Sequence, residues 1–201
     1  MTRRALVVER PGAIGVVERE RLRPGPGEVL VRPAYCGVCG TDLEILRGVL
    51  DPAFVEYPVT LGHEWSGVVE AVGDGVSGLE PGMHCVAEGI IPCGNCASCR
   101  GGATNVCAIY DEVGFTRPGG AADEIVVPAR VVHRLADDVS LADASLTEPA
   151  SVVLTGLEKI RLRPGDLITH RFPLDDYASA FDELATPSGP RGKVMLEVAG
   201  G

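Results

Sequence analysis

Residues 92–107 read PCGNCASCRGGATNVC, and their four cysteines are spaced Cys-x2-Cys-x2-Cys-x7-Cys. Four thiolates supply a complete tetrahedral shell for zinc, with Zn–S distances of about 2.3 Å. Because a complete shell has no position for a substrate, we expect a structural zinc site formed by Cys93, Cys96, Cys99 and Cys107. Disulfide bonds are the alternative, but spacing this short favours one metal ion over two crossed bridges.

The composition around this stretch sets limits on fold and partners. The chain has 201 residues, of which 45% are hydrophobic, so it can bury a sizeable core. Only 4% are aromatic, so the core must consist mostly of aliphatic side chains. A formal net charge of −10 argues against nucleic acid and against an anionic membrane surface as partners. No stretch approaches the length of a membrane span.

The cysteine count indicates the compartment. Seven is an odd number, whereas disulfide-stapled secreted domains usually carry an even set in a shorter chain. The N-terminus has only a four-residue apolar run, too short for the core of a signal peptide. We therefore expect a cytoplasmic protein.

Short apolar runs separated by Gly and Pro dominate the first 135 residues and predict β-strands. The predicted strands are Arg4–Val8, Ile14–Glu20, Glu28–Ala34, Ser66–Val72, Met83–Ala87 and Ala122–Val127. One helix is predicted over Thr41–Arg47, with Thr41 or Asp42 as its N-cap. So many short strands predict a mainly β fold, a barrel or a sandwich, with a few helices.

The pattern becomes helical after Leu135. The predicted helices are Leu141–Leu146, Pro149–Ile160 and Pro173–Leu184, and the predicted strands are Leu167–Phe172 and Lys193–Val198.

A second group of metal-ligand residue types comes from separate segments. These are Cys36-Gly37-Val38-Cys39-Gly40-Thr41-Asp42, Gly62-His63-Glu64 and Thr147-Glu148-Pro149. A thiolate, an imidazole and carboxylates can form an open zinc site that leaves a position for water or substrate. The alternatives are a core histidine, a solvated glutamate and a redox Cys-x-x-Cys pair.

Taken together, these motifs resemble the zinc-dependent medium-chain alcohol, polyol and sugar dehydrogenases. The matching segments also include Gly114-Phe115-Thr116 with Gly119-Gly120, and Ile168-Thr169-His170-Arg171-Phe172. The resemblance implies a catalytic domain built as a GroES-like, partly closed β-barrel with a few helices.

The resemblance also implies roles for individual residues. The implied ligands of a catalytic zinc are Cys39, His63, Glu64 and Glu148. Asp42 is similar to the carboxylate that orients the ligating histidine. Thr41 is similar to the hydroxyl that passes a proton from the bound alcohol towards solvent. The implied cofactors are two zinc ions per chain and, in the family, NAD(P) as hydride acceptor.

One part of the family pattern is missing. Relatives carry a nucleotide-binding (Rossmann) domain after the segment that matches residues 163–166, whereas here Asp166 runs directly into residues 167–172. We therefore expect one catalytic domain, made of residues 1–166 and a returning segment, 167–201, without a NAD(P) site. Loss of the insert is expected to expose an apolar face that could drive self-association.

A glycine pattern elsewhere needs a separate interpretation. Residues 73–78, GDGVSG, match the Gly-x-Gly-x-x-Gly of dinucleotide-binding loops. The following residues, Leu79-Glu80-Pro81-Gly82, cannot extend a helix, so we expect a surface turn between strands.

These features leave three hypotheses for function. The first is the catalytic domain of a zinc-dependent oxidoreductase for an alcohol, polyol or sugar, inactive as this chain; Glu148 favours polyols or sugars. The second is a zinc-stabilised binding or scaffold module without redox chemistry, in which Glu148 closes the open site. The third is a redox or metal sensor that uses Cys36 and Cys39.

Overall fold

The computed structural model describes residues 2–160, 168–186 and 193–197. The chain forms two compact units, Met1–Ser151 and Val152–Gly201. The predicted junction between residues 166 and 167, and the segment 163–166 after which we expect the insert to be missing, lie outside the described residues.

The first unit is mainly β, as predicted. Its strands are β1 Arg3–Arg10, β2 Ala13–Arg19, β3 Glu28–Cys36, β4 Val59–Thr60, β5 Trp65–Val72, β6 His84–Ala87, β7 Ile90–Pro92, β8 Tyr110–Glu112, β9 Ile125–Pro128 and β10 Val132–Arg134. Its helices are α1 Gly40–Arg47, α2 Ala97–Arg100 and α3 Leu141–Ala144, and a longer helix, α4 Thr147–Ile160, crosses from the first unit into the second.

Two antiparallel sheets form the body of this unit. One has five strands in the order β10-β6-β5-β3-β9, and the other has three in the order β2-β1-β4. A bridge between Ala5 and Ala122 links β1 to the loop before β9. A separate hairpin-like pair, β7 and β8, flanks the four-cysteine segment.

The core lies on β3, β5 and the edge strand β9 of the larger sheet. Val29, Val31, Val69, Ile125 and Val127 are each at most 1% exposed. β-Branched side chains suit a pleated, buried surface, and each contributes about 1.5–3 kcal/mol when removed from water. The predicted aliphatic core is therefore present, and it holds β3 and β5 in place beneath the site described below.

Helix α1 begins one residue after Cys39, and this corrects the predicted N-cap. Cys39, not Thr41 or Asp42, is the N-cap residue. The Cys39 N–H donates to Asp42 Oδ2 at 2.8 Å, because a carboxylate at the third helical position can fold back onto the cap. The helix ends at Gly48, whose φ of 68° gives the left-handed turn that closes many helices.

The glycine pattern at residues 73–78 forms a turn, as predicted. Strand β5 ends at Val72, and no helix begins in the described chain between there and Ala97. A Cβ on Gly73 would lie 1.8 Å from the Gly25 carbonyl oxygen, so close backbone approach explains this glycine. The pattern therefore lacks the helix N-terminus that a phosphate loop requires.

In the second unit, β11 Ile168–Pro173 and β12 Lys193–Glu197 pair in parallel and are joined through α5 Tyr177–Ala185. Across the described parts of both units, none of the helices is at once long enough and apolar enough to span a bilayer.

Candidate metal centres

The four cysteines of residues 93–107 converge on one point. Their sulfur atoms all lie within 4.8 Å of one another, with separations of 3.5 Å for Cys96–Cys99, 3.8 Å for Cys96–Cys107 and 4.0 Å for Cys93–Cys99. A tetrahedron with Zn–S bonds of 2.3 Å has sulfur–sulfur edges of about 3.8 Å. All seven cysteines are free thiols, which favours the metal over the disulfide alternative.

Backbone N–H groups converge on these sulfur atoms. The N–H groups of Asn95 and Cys96 donate to Cys93 Sγ at 3.4 and 3.3 Å. These donors lower the pKa of Cys93, and the N–H groups of Cys99 and Ala108 lower the pKa of Cys96 to about 6. Hydrogen bonds to the charged form stabilise a thiolate, which is the form that binds metal.

The pKa of Cys99 shows that a group of four neighbouring thiols needs a positive charge in order to ionise. Burial, followed by the neighbouring sulfur atoms of Cys96 and Cys107, raises the pKa of Cys99 to about 12. Four thiols this close cannot all ionise unless a positive charge is placed among them. The donor set therefore fits a divalent ion such as zinc.

The second predicted group also comes together. Cys39, His63 and Glu64 each offer a ligand atom, and these atoms lie within 4.8 Å of one another. Cys39 stands at the start of α1, and His63 and Glu64 immediately precede β5. His63 is buried at 9% exposure, whereas Cys39 and Glu64 are half-buried. We refer to these three residues as the open cluster.

Asp42 lies directly behind His63. Asp42 Oδ1 and His63 Nδ1 are 3.8 Å apart, and both atoms are buried without a hydrogen-bond partner. Buried polar atoms without partners are costly, so a proton on Nδ1 shared with Asp42 would satisfy both. The Phe115 ring packs against the histidine ring, with ring centroids 5.2 Å apart.

Thr41 is adjacent to the same cluster. Its Oγ1 lies 3.6 Å from Cys39 Sγ, and the residue is half-buried. The hydroxyl is therefore close to the cluster without being sealed from solvent.

Glu148 is near the open cluster but does not belong to it. Among the described residues, the groups whose ligand atoms lie mutually within 4.8 Å do not include it. Burial raises the pKa of Glu148, and of the nearby charges His63 lowers it and Glu64 raises it. The carboxyl group thus belongs to the electrostatic surroundings of the cluster rather than to its compact donor set.

A further carboxyl group, Glu112, was missed by the sequence analysis. Burial raises the pKa of Glu112, and of the nearby charges His63 lowers it and Glu148 raises it. The Glu112 carbonyl accepts the N–H groups of Phe115, Thr116 and Arg117 at 2.9–3.2 Å, so the chain turns back at the end of β8 and places Phe115 against His63. No motif marks this residue, because it comes close to the histidine only through the packing of segments that are far apart in sequence.

The remaining cysteines and Trp65 behave as buried groups. Cys85 and Trp65 lie in the core at 0% and 4% exposure. Cys36 is half-buried, and burial, followed by the charges of Asp42 and Glu64, raises its pKa to about 11. A raised pKa disfavours the thiolate that a redox pair with Cys39 would need.

His133 and His84 belong to neither group of metal-ligand residues. His133 pairs with Glu88 at 3.0 Å on the surface. His84, on β6, is half-buried, and neither histidine is part of a compact donor group in the described chain.

Comparison with known proteins gives a consistent set of similarities. Residues 25–137 match the model of the alcohol dehydrogenase GroES-like domain. The chain is 38% identical over 154 residues to 2-dehydro-3-deoxy-L-galactonate 5-dehydrogenase of Pseudoalteromonas atlantica, covering 77% of this chain and 45% of that protein. It is 39% identical over 138 residues to galactitol 1-phosphate 5-dehydrogenase of Escherichia coli, covering 69% of this chain and 38% of that protein.

A solved structure extends the similarity to the whole fold. A zinc-binding dehydrogenase of Sinorhizobium meliloti 1021, bound to NADP, superposes with a TM-score of 0.79 at 28% identity. The superposition covers 98% of this chain and 56% of that one. The chain thus spans about half the length of the relatives that it matches, and the predicted GroES-like fold class is confirmed.

Proposed function

Because this chain belongs to the alcohol dehydrogenase GroES-like domain family, we propose that it is the zinc-binding catalytic part of an oxidoreductase for an alcohol, polyol or sugar hydroxyl. The observation that carries the proposal is the convergence of Cys39, His63 and Glu64, from segments more than 20 residues apart, next to the buried Asp42. A thiolate, an imidazole and a carboxylate form the kind of donor set that leaves a fourth position for substrate.

A zinc ion held there would act as a Lewis acid on a substrate hydroxyl and lower its pKa. In this proposal His63 binds through Nε2, because Asp42 Oδ1 faces Nδ1 and holds the proton on that nitrogen. Thr41, 3.6 Å from the Cys39 sulfur, accepts the proton released by the substrate hydroxyl and passes it towards solvent.

The four-cysteine group has a structural role in the same proposal. Its four sulfur ligands complete a shell, so they hold residues 93–107 in place without contacting substrate. The Arg130 guanidinium donates to the Pro92 carbonyl at 2.7 Å and fastens the start of this segment to the neighbouring strands.

The position of Glu148 supports an enzyme over a scaffold. A zinc-stabilised scaffold would be expected to close the open cluster with a fourth protein ligand. Glu148 is the sequence candidate for that ligand, but it is not among the compact donor set of the described residues. In the enzyme, a carboxyl group next to the substrate position suits a hydroxyl-rich polyol or sugar.

We infer that this chain by itself does not turn over NAD(P). The β-α-β unit formed by residues 168–186 and 193–197 has Leu174, Asp175 and Asp176 before α5, where a nucleotide-binding unit has glycines. Acidic residues at a helix N-terminus repel a pyrophosphate. The hydride acceptor, NAD(P), would then have to be bound by a nucleotide-binding domain that the described residues do not form.

Metal analysis together with an activity assay tests this proposal. Native mass spectrometry of the purified chain is expected to show two zinc ions, and NAD(P)-dependent oxidation of alcohols and polyols is expected to be absent. One ion or none per chain would contradict the metal part. Robust NAD(P)-dependent turnover would contradict the cofactor part.

Compartment and assembly remain predictions. Seven free cysteines support a reducing cytoplasm as the site of action. Val152, Val153 and Leu154 on α4 are 58–62% exposed, which supports self-association through an apolar face. Light scattering after size-exclusion chromatography measures it directly.

A further inference from the structure

Gly37 occupies a position where the structure has no room for a side chain. A Cβ built on Gly37 would lie 2.4 Å from Glu64 Oε2 and 3.1 Å from Glu64 Cβ. Its φ angle is not in the left-handed region, so the backbone itself would accept alanine. A side chain at position 37 would therefore meet the Glu64 side chain, while the backbone conformation would not oppose it.

The neighbouring backbone cannot move away to make room. The Gly37 N–H donates to the Glu64 carbonyl at 2.7 Å, and Cys36 pairs with Trp65 at the end of the β3–β5 ladder. These contacts lie between the two segments that carry the open cluster, since Cys39 follows Gly37 by two residues and His63 precedes Glu64. The close approach of the two segments is therefore part of the geometry of the cluster.

A reciprocal contact lies on the other side of the same crossing. Gly62, with φ of 100°, packs against Cys36, and a Cβ there would lie 2.5 Å from Cys36 Sγ. One segment thus places a carboxylate over a glycine, while the other places a thiol over a glycine. The two segments can approach closely because each has a glycine where the other places a side chain.

We propose that Gly37 is a positioning residue that holds the Glu64 carboxylate beside Cys39 and His63. The missing Cβ provides the space in which Oε2 lies, so a methyl group at position 37 turns the carboxylate out of the cluster. The inference rests on the proposed metal-dependent function, because it assigns Gly37 a role in forming the site for the ion.

Cobalt binding to four forms of the full chain tests it: wild type, Gly37→Ala, Glu64→Ala and the double variant. The lobe of Cys93, Cys96, Cys99 and Cys107 is first loaded with zinc, and cobalt is then titrated into the open cluster. Gly37→Ala is expected to lower cobalt affinity about 10-fold or more, the range for residues that support a ligand. It is also expected to change the visible cobalt spectrum in the same way as Glu64→Ala.

The double variant separates a local steric effect from general damage. Once the carboxylate is removed, only the 3.1 Å contact with Cβ remains, so Gly37→Ala is expected to have little further effect on cobalt affinity in the Glu64→Ala background. If Gly37→Ala alone folds poorly, Glu64→Ala is expected to restore its melting temperature. Equal losses in both backgrounds, or no restoration, would overturn the proposal.

Gly40→Ala is the matched control, because a Cβ there meets nothing within 4 Å and the φ angle is not left-handed. It should bind cobalt like the wild type. A wild-type chain that takes up no ion outside the four-cysteine lobe would overturn the proposed function together with this inference. A wild type that binds the ion, with Gly37→Ala binding it equally well, would overturn this inference alone.

Discussion

The two metal-ligand groups of this protein are built in different ways. All four donors of the cysteine lobe come from residues 93–107, and backbone N–H groups of the same segment donate to their sulfur atoms. The open cluster draws Cys39 from one segment and His63 and Glu64 from another, and Asp42 reaches the histidine from α1. The lobe is therefore organised by local sequence, whereas the open cluster depends on how β3 and β5 meet.

This difference has a chemical counterpart. Four thiolates satisfy a zinc ion completely, which suits a group that only stabilises structure. Three mixed donors at the junction of two segments leave one position available, which suits a group that must admit substrate. The contrast also predicts that changes in one group leave the other group intact.

The largest effect is expected from Cys96→Ser, which removes one of the four sulfur ligands of the lobe. Structural zinc in small sites is bound with about 10–16 kcal/mol, so loss of one ligand in four should cost about 2.5–4 kcal/mol, a decrease in affinity of about 70- to 900-fold. Competition with a chelator measures the loss, and limited proteolysis should show cleavage within residues 93–107. The open cluster should keep its cobalt affinity.

Ser98→Ala, in the short helix α2 of the same lobe, is the matched control and should retain both ions. If Cys96→Ser weakened the two groups equally, the lobe would not be locally organised.

A smaller effect is expected from Asp42→Asn. The amide oxygen of asparagine can still accept the Cys39 N–H, but the negative charge facing His63 Nδ1 is lost. Loss of such a partner typically lowers metal affinity about 10–100-fold, and it should do so at the open cluster only. Cobalt titration with the lobe held as zinc provides the measurement.

Asp51→Asn is the control for this variant, because Asp51 also accepts a backbone N–H, from Ala53 at 2.9 Å, but lies on an exposed loop. An Asp42→Asn protein with wild-type cobalt affinity would argue against the orienting role of Asp42.

The smallest effect is expected from Asp123→Asn, which weakens the scaffold of the open cluster at a distance. Asp123 Oδ2 accepts the Arg4 N–H at 2.9 Å and ties β1 to the loop whose Ala121 N–H donates to the Leu61 carbonyl. The Arg4 N–H lowers the pKa of Asp123, so the contact stabilises the folded state above the ordinary aspartate pKa of about 3.9. That stabilisation is lost as the pH falls through the lowered pKa.

Denaturant unfolding from pH 7 to pH 3 measures the effect. The free energy of unfolding of the wild type is expected to exceed that of Asp123→Asn by about 1 kcal/mol or less at pH 7, because the contact is partly exposed, and this difference should shrink towards pH 3. The exposed Asp138→Asn serves as control. A difference that grew on acidification would reverse the sign of this linkage.

Sequence analysis predicted most strands of the first unit, because short β-branched runs bounded by Gly and Pro are typical of buried strands. It also predicted the four cysteine donors of the lobe, because they lie close together in sequence and their spacing alone indicates a metal site. It assigned the wrong N-cap to α1, because the fold-back of Asp42 onto Cys39 is a side-chain geometry that propensities do not encode.

The residue types, their spacing and the order of the segments were determined by sequence alone, and they were sufficient for the GroES-like fold class and the closed sulfur shell. Only the tertiary structure decided that Glu112 lies near His63, that Glu148 stands outside the compact donor set, and that Gly37 and Gly62 provide space for Glu64 and Cys36. The physical reason is the separation in sequence between the residues that make contact. Turn geometry connects neighbours in sequence, whereas contact between distant segments depends on how the strands pack.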